Sequence, residues 1–296
     1  MLRKLLFVFM FSFFISHIFS QQEINFFWDS AESFSAKNSY FPLSLYDERN
    51  AYVFFESVDK SKQEIKISWR KKSGGLAWSD TFSLSDSFKY SGDDVPDMYS
   101  ASLSKKGVLA VSVLDASSAN GAVKVYASSD NADSFSEFAF PPQKKQVTSS
   151  RIFAERNGGF ILFISLGEGK QSPTESSFSI LYSESKDGKK WSDLRVFRPS
   201  EMISNAFSPF FTQIHGKDFV FFEGWAARDS TTSLIYAASR VSESGSSWSA
   251  PFVVTDASSL IDSSDSYLDF KNFRPFVLSD GANTKIVWER TTKTGS

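Results

Sequence analysis

Ser185-Lys186-Asp187-Gly188-Lys189-Lys190-Trp191 follows an apolar strand pattern, Phe178 to Tyr182, and precedes a second short apolar segment, Leu194 to Phe197. A hydroxyl and a carboxylate can hold the backbone amides of a tight hairpin turn, glycine supplies a positive φ, and the aromatic ring plugs a gap in the packing. The ring has counterparts at regular distances. Trp78, Phe135, Trp191 and Trp248 stand 57, 56 and 57 positions apart. A near-constant period of that length predicts one supersecondary unit copied along the chain, its copies burying each other's faces.

Each period repeats the same order of segments. Val53 to Phe55 ends in Glu56, a polar turn holds Asp59 to Lys62, and Glu64 to Trp69 reads as a second strand. Phe219 to Phe222 likewise ends in Glu223 before Ser233 to Ala237, and 13 positions separate Glu56 from Trp69 as they do Glu223 from Tyr236. Gly107 to Val113 with Ala122 to Ala127, and Gly158 to Ser165 with Phe178 to Tyr182, complete a set of hairpins. An apolar segment follows each ring: Thr81 to Leu84, Glu137 to Phe140, Leu194 to Phe197, and Phe252 to Val254. That gives three or four strands per unit. No segment sustains a 3.6-residue period with caps, which argues against a helical repeat. Four-stranded units arranged radially make a β-propeller.

Composition narrows the setting. Arg3 and Lys4, an apolar run from Leu5 to Phe19, and Ser20 before Gln21 read as a secretory signal peptide over residues 1–20, leaving residues 21–296 as the propeller. The run is short for a bilayer and is broken by Ser12, Ser16 and His17, so no stable membrane span is expected after cleavage. The protein is thus expected to be exported, whether secreted, periplasmic or at the cell surface. Without Arg3 and Lys4, 30 basic residues face 34 acidic ones, and no basic stripe is present, which excludes nucleic acid as an expected partner. Cysteine is absent, so neither disulfides nor thiol catalysis can operate.

The segment from Ser185 to Trp191 resembles the Asp-box, or BNR repeat, in its variant with no residue between Asp187 and Gly188. Ser128-Ser129-Asp130-Asn131-Ala132-Asp133-Ser134-Phe135 is similar to the longer form, with Ala132 in the glycine place and Phe135 in the tryptophan place. Two further copies are worn: Glu243 and Gly245 precede Trp248, where Val241 replaces the serine, and Gly75 precedes Trp78 beside Ser73. The resemblance is to sialidase-like Asp-box propellers, which include exo-sialidases, other glycosidases and exported proteins. It implies an all-β propeller of Asp-box type with four recognisable blades and an incomplete fifth. It also implies that the boxes are structural, on the outer rim of the blade and away from the central pocket. The fifth unit runs from Asn272 to Pro275 and on to Lys285 to Glu289, and its next aromatic falls due beyond Ser296. A truncated or open propeller is therefore expected, with Glu23 to Trp28 as a candidate closing strand.

The same resemblance sets a test for catalysis. An exo-sialidase needs three arginines on a substrate carboxylate, an acid/base aspartate, and a tyrosine nucleophile paired with a glutamate. Where the family carries its first arginine this chain reads Tyr40-Phe41-Pro42. Phe273-Arg274-Pro275 lies in the final unit and Phe197-Arg198-Pro199 follows a box, while Arg151, Arg228 and Arg290 do not reproduce the triad spacing. The candidates for a catalytic role are Arg274, Glu223 and Asp97. Glu56, Glu223 and Glu289 either mark a fixed place in the blade or line the axial funnel as acids.

Other chemistry has less support. His215, the one histidine outside the leader, falls in the turn Ile214-His215-Gly216-Lys217. Asp93, Asp94 and Asp97, and Asp262, Asp265 and Asp269, are acidic loops without EF-hand spacing. No metal or cofactor is expected. The loops Tyr90 to Tyr99, Gly167 to Ser177, Gly224 to Thr232 and Ser258 to Tyr267 are polar with scattered aromatics, which suits sugars and peptides as well as ordinary blade connections. The sequence thus points to a glycan- or protein-binding module, with an exo-sialidase-type glycosidase or its decayed relative as the alternative.

Overall fold

The computed structural model describes residues 38–74, 77–90, 98–118, 120–167, 178–197, 203, 205–225, 233–241, 247–255, 270–279 and 283–292. The leader and the segment Glu23 to Trp28 lie outside them. Among the described residues the chain forms strands and turns and no helix.

Four sheets follow one another as antiparallel meanders. The first runs β1 (Ser39–Tyr46), β2 (Asn50–Asp59), β3 (Glu64–Ser73) and β4 (Phe82–Ser83), with β5 (Phe88–Lys89) also pairing with β3. The second comprises β6 (Tyr99–Leu103), β7 (Leu109–Asp115), β8 (Ala122–Ser128) and β9 (Ser136–Ala139). The third comprises β10 (Gln146–Ala154), β11 (Phe160–Gly167), β12 (Ser179–Ser185) and β13 (Arg195–Phe197). The fourth comprises β14 (Asn205–Ile214), β15 (Lys217–Trp225), β16 (Leu234–Ser239) and β17 (Phe252–Val253). A hairpin, β18 (Phe270–Ser279) with β19 (Thr284–Thr292), comes next. The hairpins read from the sequence are the second and third strands of each sheet. A further strand precedes each of them, so Lys285 to Glu289 belongs to the second strand of its sheet.

The first strands pack on one another in chain order: β1 on β6, β6 on β10, β10 on β14, β14 on β18. Sheets whose first strands gather in this way stand radially, which is the propeller arrangement. At the β6–β10 junction serine hydroxyls bind the free strand edge. Ser100 Oγ accepts from the Ile152 amide at 3.2 Å and Ser102 Oγ from the Ala154 amide at 2.8 Å. A buried edge donor must find some acceptor, and short hydroxyl side chains reach it without separating the blades.

The core lies between the sheets. Strands β7 and β11 are buried along nearly their whole length, as a strand covered on both faces must be. Aromatic rings seal the seams between sheets, three of the box rings packing on the preceding sheet. Phe135 meets Trp69 at 5.6 Å, Trp191 meets Phe140 at 5.8 Å, and Trp248 meets Phe197 at 5.3 Å and Tyr182 at 6.2 Å. Edge-to-face contacts of this kind favour one blade spacing over others.

Candidate functional site

Three first strands carry the same irregularity. The register slips between Tyr40 and Leu43, between Phe207 and Phe210, and between Phe273 and Phe276. Each slip spans an aromatic-x-Pro segment: Tyr40-Phe41-Pro42, Phe207-Ser208-Pro209 and Phe273-Arg274-Pro275. The middle residue is left-handed in all three, with φ of 49° at Phe41, 50° at Ser208 and 52° at Arg274. A residue with a Cβ resists this conformation, at about 1–3 kcal/mol each, and bulges serve to re-aim a side chain. Phe41 and Arg274 are exposed as a result.

A glutamate on the neighbouring strand faces each bulge in the same register: Glu56 opposite Tyr40, Glu223 opposite Phe207, Glu289 opposite Phe273. Their surroundings differ. Glu56 is 0% exposed and its Oε1 accepts from the Met98 amide at 2.7 Å, tying the first sheet to the start of the second. Glu223 is 2% exposed. Glu289 is half-exposed and pairs with Arg274, whose Nη1 stands 3.2 Å from Oε1. The structure thus separates two of the residues singled out for catalysis: Arg274 reaches solvent and Glu223 is sealed in the sheet. Asp97 lies outside the described residues, as do Arg198 and Arg228. Among the described residues no group of acids, histidine or cysteine could hold a metal ion.

Other ties run from sheet to sheet at the same end. Asn205 Oδ1 accepts from the Phe178 amide at 2.9 Å, and Asn272 Nδ2 donates to the Ser233 carbonyl at 2.8 Å. Tyr99 Oη donates to the Phe54 carbonyl at 2.8 Å and lies against that of Phe41, pinning the first bulge. Phe153, Phe210 and Phe276, from three successive first strands, contact in sequence at 5.3 and 5.0 Å, a row that runs from the far end of β10 to the residue following the last bulge. This end therefore presents a half-exposed ring, Phe276, beside an exposed guanidinium.

The box turns occupy the opposite end. Ser128 Oγ accepts from the Ala132 amide at 2.9 Å and donates to Asp130 Oδ1 at 2.6 Å, while Asp130 also accepts from the Ser134 amide at 3.1 Å. Hydrogen bonds from the Ser128 and Ser134 hydroxyls hold the Asp130 carboxyl well below the usual carboxylate range. Ser185 Oγ accepts from Gly188 N at 2.8 Å, and Asp187 Oδ1 accepts from the Lys189 and Lys190 amides at 2.9 and 3.0 Å. At Asp187 burial pushes the carboxyl up, but these amides and the Ser185 hydroxyl outweigh it and the net shift is downward. Gly188 has φ of 74°, and a Cβ there would lie 3.0 Å from that of Ala127, so the position needs glycine twice over. Ala132 takes the equivalent conformation at φ of 65°. Gly75, Glu243 and Gly245 lie outside the described residues; Trp78 is half-buried, and Trp248 bridges to Arg240.

Beside that bridge sits a charge cluster that no sequence motif announces. Arg240, 10% exposed, reaches Glu155 Oε1 and Glu184 Oε1 at 2.9 Å each and Asp218 Oδ2 at 3.1 Å, and Arg195 also pairs with Glu184. It joins the third sheet to the fourth. Burial raises the Glu155 carboxyl, Arg240 pulls it down, and Glu184 and Asp218 push it up again, leaving it above its usual range.

The fold is that of a β-propeller. No family model matches the sequence, and no curated protein matches it. Among solved structures, a protein of unknown function from Dyadobacter fermentans DSM 18053 is similar with a TM-score of 0.54 at 13% identity, over 85% of this chain and 75% of that one. This is a likeness of fold. An endo-arabinase from Bacteroides thetaiotaomicron VPI-5482 aligns with a TM-score of 0.46 at 14% identity, over 86% and 93% of the two chains. An α-L-arabinanase of Cellvibrio cellulosa complexed with arabinohexaose aligns with a TM-score of 0.42 at 14% identity, over 77% and 80%.

Proposed function

We propose that this chain is an exported Asp-box propeller that binds a glycan at the bulged end of its first strands without hydrolysing it. Four blades and the opening strands of a fifth carry the site. The hydrogen bonding at Ser128, Asp130, Ser185 and Asp187 supports the Asp-box type, since hydroxyl and carboxylate together hold the turn amides.

One observation carries the reading. Glu56 and Glu223 are withdrawn from solvent while Arg274, Phe276 and Phe41 are presented to it. Most glycoside hydrolases set two carboxyl groups about the scissile bond and the sialidase type sets a glutamate against a tyrosine nucleophile, and neither Glu56 nor Glu223 is open to a substrate here. An exposed guanidinium and aromatic faces can still hold a sugar through charge-assisted hydrogen bonds and ring packing.

The test is a glycan array probed with the purified protein and with Arg274→Ala, run beside hydrolysis of fluorogenic sialosides and arabinosides. Retention of a glycan by the wild type, lost in Arg274→Ala, with no turnover, is the expected result. Turnover abolished by Glu223→Gln would establish the glycosidase alternative, and capture of proteins but no glycan would replace the ligand class.

A further inference from the structure

A second feature lies at the other end of the molecule, between the first and second sheets. The turn joining β1 to β2, the end of β3 and the turn joining β6 to β7 surround a cleft of about 1040 Å³. That volume is at the upper end of what small-ligand sites occupy. One wall is fixed by a tie between blades: Lys71 pairs with Asp133 and donates to the Asn131 carbonyl at 3.3 Å. Gly74 and Gly107 border open space, with nothing within 4 Å of where a Cβ would stand.

The lining has a definite chemistry. Tyr46 is 80% exposed at the rim, the most exposed large hydrophobic side chain among the described residues. Glu48, Arg49 and Lys105 also line the cleft and, among the described residues, make no ion pair within 4 Å, in contrast to Lys71 beside them. Asp47 spends one oxygen on the amides of Arg49 and Asn50, both at 2.7 Å, which fixes the turn carrying Tyr46 and Arg49. Two acids and two bases cancel, so the cleft has no net field with which to select an ion. What remains is an aromatic face flanked by the Glu48 carboxylate and the Arg49 and Lys105 cations.

From this arrangement we infer that the cleft between the first two blades is a second binding site, for a neutral pyranose glycan. A sugar ring would lie on the Tyr46 face, its hydroxyls donating to Glu48 and accepting from Arg49 and Lys105. Such pairing suits adjacent hydroxyls, which present a donor and an acceptor side by side. The site is separate from the bulged end and does not depend on what binds there.

NMR titration of the purified protein with cellohexaose, xylohexaose and mannohexaose tests it. At least one of the three is expected to saturate the wild type. Tyr46→Ala should weaken that binding by about tenfold or more, equivalent to ~1.4 kcal/mol. Tyr46→Phe should retain it, Lys105→Glu should weaken it, and Arg274→Ala should leave it unchanged. All these side chains are exposed, so circular dichroism should show every variant folded. If none of the hexasaccharides binds, or Tyr46→Ala binds as the wild type does, the inference fails. Preference for sialyllactose over all three would refute the neutral class. Loss of array binding in Arg274→Ala concerns only the other site.

Discussion

Replacing Arg240 by Met removes the one cation shared by Glu155, Glu184 and Asp218 and keeps most of its volume. The guanidinium lies 2.9 Å from two of these acids and 3.1 Å from the third, and Arg240, Glu155 and Asp218 are 10%, 7% and 17% exposed. Breaking a buried pair from one side leaves uncompensated charge, which costs ~3–5 kcal/mol, a fall in melting temperature of roughly 6–20 °C for a chain of this size. The penalty should shrink as pH falls. Glu155 already has a folded-state pKa above its unfolded value, and loss of Arg240, which pulls it down, raises it further. A group raised in this way contributes stability below its unfolded pKa and loses it as pH rises through the folded one. Urea denaturation of wild type and Arg240→Met at pH 7 and at about pH 4.5 reads both quantities. Arg240→Lys should fall between them, because an ammonium cannot serve three acceptors as a planar fork does. A loss under about 1 kcal/mol at pH 7, or one equal at both pH values, would refute the reasoning.

Three further substitutions have definite outcomes. Glu56→Ala leaves the buried Met98 amide without its acceptor and should cost about 1–3 kcal/mol in urea denaturation, whereas Glu56→Gln keeps an oxygen there and should cost less. Gly188→Ala must hold a φ of 74° with its Cβ pressed on Ala127, for an expected loss of ~1–3 kcal/mol in the same assay. Asp130 and Asp187 have lowered folded-state pKa values, so their contribution is present above the ordinary carboxylate range and disappears as pH falls through the lowered value. Asp130→Asn with Asp187→Asn should therefore flatten the acid limb of the stability profile, measured by melting temperature from neutral pH downward.

Sequence alone reached the repeat because its signals are local. The alternation of Glu64 to Trp69, the Ser-x-Asp-Gly of Ser185 to Gly188 and the spaced rings each reflect a turn or a face set within a few residues. The first strand of each blade was harder to read, because β1, β14 and β18 lose strict alternation at their bulges. A signal is nonetheless present: Tyr40-Phe41-Pro42 and Phe273-Arg274-Pro275 share an aromatic-x-Pro pattern, and Phe207-Ser208-Pro209 completes the series. The series shows that Arg274 occupies in its blade the place Phe41 holds in the first. Whether Glu56, Glu223 and Glu289 face a funnel depends on burial, which registers alike in sequence could not reveal. The Arg240 cluster draws partners 22 to 85 positions away and has no short motif to betray it.

On the proposed reading the site binds sugar and leaves it intact because two of its three register-matched acids, Glu56 and Glu223, are buried. It is tested most directly by incubating the purified chain with the glycan it retains and following products by mass spectrometry. Bound, unchanged glycan after prolonged incubation is the expected result. Steady release of shortened product, abolished by Glu223→Gln, would contradict it.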